Sequence, residues 1–185
     1  MIADTLEELK TSIQKAHASL KRELARIRTG RANANILDSI RVDYYGTPTP
    51  LKQVASISVP EARLIVLKPF DRTQIGAIEK AIAMGNLGVN PSNDGELIRI
   101  PMPPLTEERR KDLVKIARAK GEEAKVAIRA ARHECKDMID AFQKDGDVGE
   151  DEADRGKKEM EEIVKAGTGQ VDDIVSNKEK DIMEV

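Results

Sequence analysis

From Thr106 to Gly146 no glycine–proline punctuation interrupts the chain, and apolar side chains return every three or four positions. Thr106 is placed to cap this run, and Glu107 and Glu108 in its first turn suit the positive end of a helix dipole. About 39 residues at about 1.5 Å each make a rod of roughly 60 Å. Its apolar stripe is narrow: Leu113, Ala117, Ala124, Ile128, Ala131, Cys135, Met138 and Phe142. A helix with so thin a stripe needs other helices to cover it, and the sequence supplies two.

The first carries Leu6, Leu9, Ile13, Ala16, Leu20, Leu24 and Ile27, with Asp4 and Glu7 predicted to cap it and Gly30 placed to end or bend it. The second begins at Glu150, Asp151 and Glu152 and carries Ala153, Met160, Ile163, Val164, Val171, Ile174, Val175 and Ile182. Gly156 and Gly167 fall on its core face, each costing about 1 kcal/mol of helix propensity against alanine, so this helix is expected to be the softest of the three. An elongated three-helix bundle follows from these patterns.

Between the first two helices the period changes to two. Ile40, Val42 and Tyr44 alternate with polar residues, and Tyr45-Gly46-Thr47-Pro48-Thr49-Pro50 is expected to break the strand. Val54 to Val59 and Leu64 to Leu67 read as strands bounded by Pro60 and Pro69. Ile75, Ile78, Ala81 and Ile82 read as a short helix, and Leu97 to Ile100 as a last strand after the Asn90–Gly95 turn cluster. Pro101, Pro103 and Pro104 mark a boundary. The fold class is therefore α+β, with residues 1–30 and 105–185 forming the bundle and residues 31–104 an inserted β/α/β domain.

Composition removes several function classes. Two tyrosines, two phenylalanines and no tryptophan leave no aromatic platform of the kind RNA-recognition and oligonucleotide-barrel modules stack bases on. One cysteine excludes a disulfide framework, and Cys135 lies on the apolar stripe, as a core thiol would. His17 and His133 have no neighbours at metal-ligand spacing, no phosphate-binding GxxxxGK[ST] loop occurs, and in Asp145–Glu150 a glycine stands where a calcium loop needs a ligand. No convergent nucleophile, base or metal set is visible, so neither an enzyme nor a cofactor is expected. With no membrane span or leader pattern, the expected location is the cytoplasm.

Charge is sorted along the chain although the total is only −2. Residues 1–31 carry +3, residues 32–104 carry 0, residues 105–144 carry +3 and residues 145–185 carry −8. On the long helix Lys111, Lys115, Arg118, Lys125, Arg129, Arg132 and Lys136 follow at spacings of three, four and seven, so they form one ridge. Stacked like charges weaken a lone helix, which points to an anionic partner such as an RNA backbone. Lys10, Lys21 and Arg28, on a common face of the first helix, and Arg31 beside it would widen the ridge into a patch that reads shape rather than bases. The competing reading is a coiled-coil-like adaptor or chaperone that grips proteins by these charged faces.

Three segments resemble the bacterial ribosome recycling factor family: Ile27-Arg28-Thr29-Gly30-Arg31-Ala32, Tyr44 to Leu51, and Pro103-Pro104-Leu105-Thr106-Glu107-Glu108-Arg109-Arg110-Lys111-Asp112-Leu113. The resemblance runs essentially from Met1 to Val185. It implies a monomeric, L-shaped, two-domain factor with the outline of a transfer RNA, which is not an enzyme. Such a factor contacts large-subunit ribosomal RNA on the post-termination ribosome and acts with the GTPase elongation factor G to separate the subunits. By matching motif, the RNA contacts fall on Arg28, Arg31, Arg129 and Arg132, with Arg109 and Arg110 nearby; Lys111, Arg118 and Lys125 join them on the ridge. The implied hinge is Gly30-Arg31-Ala32 with Pro103-Pro104-Leu105, and elongation factor G is implied to lie against the smaller domain and the hinge. Two departures stand out. His133 occupies a position where the family commonly has a basic residue, and Ala166-Gly167-Thr168-Gly169 interrupts a run that usually favours helix.

Overall fold

A computed structural model describes residues 1–184. The chain divides into two compact units, one made of Met1–Leu24 with Val114–Lys180 and the other of Ala25–Leu113 with the residues from Asp181 onward. The limits read from the sequence, at residues 30/31 and 104/105, both fall inside the second unit.

Helix α1 (Ile2–Ala25), the long helix α4 (Glu107–Lys144) and helix α5 (Glu150–Met183) follow the three- and four-residue periods. Thr106 caps α4 as expected, its Oγ1 accepting from the Arg109 N–H at 3.1 Å. The N-terminal cap read at Asp4 and Glu7 is corrected, because α1 is already helical from Ile2 and Asp4 sits within its first turn. Leu6, Leu9, Ile13, Leu20 and Leu24 are buried from α1, Leu113, Ala117, Ala124, Ile128 and Cys135 from α4, and Ala153, Met160, Val171, Val175 and Ile182 from α5. Ile139, which the stripe omitted, is fully buried.

The core glycines of α5 sit where helices come close. A Cβ on Gly156 would lie 2.8 Å from Ile2 Cγ2, and one on Gly167 would lie 2.8 Å from Ile13 Cγ2. What looked like lost helix propensity therefore permits tight packing against α1, and α5 continues unbroken through Ala166–Gly169. His17, buried on α1, donates from Nε2 to the Gly167 carbonyl at 2.8 Å.

In the second unit, strands β1 (Arg41–Tyr44) and β2 (Thr47–Pro50) form a hairpin. The expectation that residues 45–50 only break a strand is overturned. Tyr45 and Gly46 take φ of 50° and 85°, which makes a two-residue turn of the kind that matches strand twist. Tyr44 then faces Thr47 and Val42 faces Thr49 as the hydrogen-bonded pairs, so Pro48 and Pro50 fall at positions where no N–H is needed. Helix α2 (Leu51–Val54), one turn long, leads into strands β3 (Ala55–Glu61) and β4 (Leu64–Pro69), the first running through Pro60 rather than stopping before it. Helix α3 (Ile75–Met84) and strands β5 (Ser92–Asn93) and β6 (Ile98–Pro101) complete an antiparallel sheet of order β3-β4-β6-β5. Pro101 belongs to that ladder, opposite Leu64, and the boundary starts after it. Ile65 opposite Ile100 and Leu67 opposite Ile98 put four fully buried side chains on one sheet face, where Val42, Leu51 and Ile78 share their cluster.

Candidate functional site

The ridge of cations exists on α4, but its electrostatic setting differs from the expected one. Arg118 forks onto Glu179 of α5, Nε to Oε1 at 2.6 Å and Nη2 to Oε2 at 3.1 Å. Lys125 reaches Asp172 at 2.7 Å, and Arg132 Nε donates to Glu161 at 2.9 Å. Lys111 pairs with Glu107 at 3.1 Å and Lys136 with Asp140 at 3.3 Å. The reading of a like-charged ridge left open for a partner is thus corrected. Three acidic residues of the 145–185 segment, Glu161, Asp172 and Glu179, supply this counter-charge, delivered by the packing of α5 beside α4.

Each pair favours the charged form of its cation. Bonding to Glu179 raises the Arg118 pKa, Asp172 raises that of Lys125 and Glu161 that of Arg132, while Arg118 pulls Glu179 below the ordinary carboxylate range. They lie at the surface, where water screens them and a competing anion can replace the carboxylate at small loss.

A second set of cations has no such counter-charge. Arg129 is exposed and Lys115 likewise, and neither meets a carboxylate among the described residues. In the other unit, Arg28 follows the end of α1, so it leaves the helical face it was expected to share with Lys10 and Lys21. It is half-buried and donates from Nη2 to the Pro103 carbonyl, while its buried Nε finds no acceptor among the described residues. Arg110, also half-buried, has its buried Nε unpartnered too among the described residues. Burial and then the charge of Arg109 push the Arg28 pKa down, so two guanidinium groups oppose one another here. Such an arrangement is unfavourable in isolation and is relieved by an anion.

Gly30, Arg31 and Ala32, like Pro103, Pro104 and Leu105, lie in segments without regular structure. They are nonetheless tied: Arg31 Nη2 bonds Glu184 at 2.6 Å, Ala32 N donates to Ala62 O at 2.6 Å, and Met102 N donates to Arg63 O at 2.7 Å. Cys135 is buried and its thiol is pushed up by burial and by Glu8, as befits a core residue. Arg26 and Arg41, not singled out in the sequence, line a cavity together with Arg28. Only their placement around one hollow reveals them, for nothing in their spacing does. No helix among the described residues is long and apolar enough to cross a membrane.

Residues 20–183 match the family described as ribosome recycling factor. The chain is 55% identical to the ribosome-recycling factor of Sorangium cellulosum and 54% identical to that of Saccharopolyspora erythraea, each over 185 residues and the whole of both chains. It is 50% identical to that of Staphylococcus aureus over 184 residues, again covering both chains completely. A solution structure of the ribosome recycling factor is similar at a TM-score of 0.76 with 38% identity, covering 100% of this chain and 98% of that one. A second similar structure comes from models of the T. thermophilus ribosome recycling factor and the E. coli elongation factor G bound to the E. coli post-termination complex. It aligns at a TM-score of 0.67 with 39% identity over 99% of each chain.

Proposed function

We propose a division of labour among the cations that proceeds from one premise: this chain belongs to the ribosome recycling factor family. It is accordingly a translation factor that recycles ribosomes and is not an enzyme. The reading assigned to it is that it works in the cytoplasm, on the post-termination ribosome, together with elongation factor G, and separates the subunits.

In this reading ribosomal RNA phosphates are met first by Arg28, Arg109, Arg110 and Arg129, and the observation that carries it is the mutual repulsion of Arg28 and Arg109, which no carboxylate offsets among the described residues. Arg118, Lys125 and Arg132 serve secondarily, after exchanging Glu179, Asp172 and Glu161 for phosphate. Arg31 and Lys111 do the same from Glu184 and Glu107. Helix α4, about 57 Å long, is stiff enough to pass on a push, and Gly30–Ala32 with Pro103–Leu105 act as the hinge. RNA contact anchors the helices while the GTPase turns the residue 31–104 module, driving the bundle into the subunit interface.

Light scattering of ribosomes mixed with the factor, elongation factor G and GTP tests this directly. The wild-type chain should speed dissociation beyond that with elongation factor G alone, and Arg28→Glu with Arg109→Glu should abolish the gain while circular dichroism stays unchanged. Splitting unaffected by the double reversal would refute the assignment.

A further inference from the structure

We propose that the hollow next to Arg28 is a binding site for a phosphorylated nucleoside, an inference that deepens the RNA-contact reading above and rests on it. The cavity, about 330 Å³, lies wholly within the second unit and is lined by Arg28 and Arg41, by Arg26, which already has a partner of its own, and by one carboxylate, Asp38. That carboxylate is already compensated, since Lys52 Nζ stands 2.6 Å from it. Among the described residues Arg41 engages the chain only through Nη1, which donates to the carbonyls of Asp38 and Ile40, and Arg28 only through Nη2. The Nε and Nη2 of Arg41 meet no acceptor among the described residues, and a guanidinium fork matches two phosphate oxygens.

One wall is different in kind. Ile36 and Leu87 present aliphatic surface, so an inorganic ion would leave part of the hollow unfilled. The volume falls at the low end of small-molecule sites, the scale of one nucleotide rather than of a duplex. Paired RNA keeps its bases stacked and offers only backbone, whereas an unpaired nucleotide brings phosphate and a flat or apolar face together. Arginine planes take over the stacking role that the scarce aromatics of this chain do not fill.

Titration of the full-length protein with adenosine monophosphate, followed by NMR at low salt, reads the site. Shifts should concentrate on residues 35–41 and Leu87, adenosine without phosphate should bind at least about tenfold more weakly, and Arg41→Ala should weaken the monophosphate by about tenfold. Arg41→Lys keeps the charge but not the fork, and should fall between, which preserves the test if the alanine variant fails to fold. A short single-stranded RNA that competes with the monophosphate identifies RNA as the source; its failure to compete identifies free nucleotide. Equal binding of adenosine and its monophosphate, or indifference to both Arg41 variants, overturns the proposal. Arg41→Ala should leave the circular dichroism unchanged. An empty pocket in a chain that still splits ribosomes would sink the pocket alone, whereas a nucleotide bound by a chain that fails to split them would sink the functional reading alone.

Discussion

Along α4, from Arg118 to Arg132, three cationic side chains meet carboxylates of α5, while Arg28, Arg109 and Arg110 in the other unit meet none among the described residues. The residue types are alike and the surroundings are opposite. In the bundle, two helices of complementary charge lie side by side, so the cations help to set which face of α5 turns toward α4. In the second unit, half-buried Arg28 is repelled by exposed Arg109, and no carboxylate relieves the two among the described residues, a costly arrangement. A count of charges per helix cannot tell these cases apart; the neighbours can.

The contrast is broken most severely by unseating α5. Met160 is almost wholly buried, and Met160→Ala should destabilise the protein by about 2–5 kcal/mol in urea unfolding, through the lost transfer energy and the cavity left behind. A smaller effect is expected from acid. Glu179 and Asp140 are held below their ordinary pKa values of 4.5 and 3.8 by Arg118 and by Lys157 with Lys136, respectively. Groups with depressed folded pKa values stabilise fully above their unfolded values and lose that contribution as pH falls through the folded ones. The urea midpoint should therefore hold from neutrality down to about pH 4.5 and then drop, and Glu179→Gln should make the drop shallower. The smallest effect sharpens the contrast: Glu161→Gln frees Arg132 and should tighten ribosome binding by roughly threefold in cosedimentation. Weaker binding in that variant would mean that Glu161 orients Arg132 for RNA.

Much of the fold was legible because it rests on local rules. Apolar spacing located all three long helices, Thr106 announced the start of α4, and Cys135 lies in the core as its place on the stripe required. Strand β2 was hidden because prolines argue against strands until the hairpin register shows that Pro48 and Pro50 sit where no donor is called for. Gly156 and Gly167 were misleading for a related reason. Their effect on α5 in isolation is unfavourable, and the compensating approach of Ile2 and Ile13 is a fact of packing. The cations were all visible as residues, but sorting them needed the rotation of α5 about its axis, which no spacing within α4 encodes. His17 bonding to Gly167, 150 positions away, was invisible for the same reason.

The division between neutralised and unrelieved cations is tested most directly by the salt dependence of ribosome binding in single alanine variants. Plotted as log affinity against log salt, the slope should fall by about 1 for Arg109→Ala and for Arg129→Ala, and by clearly less for Arg118→Ala, whose guanidinium already answers to Glu179. Equal falls in all three would contradict the distinction, because paired and unpaired arginines would then be engaging phosphate alike.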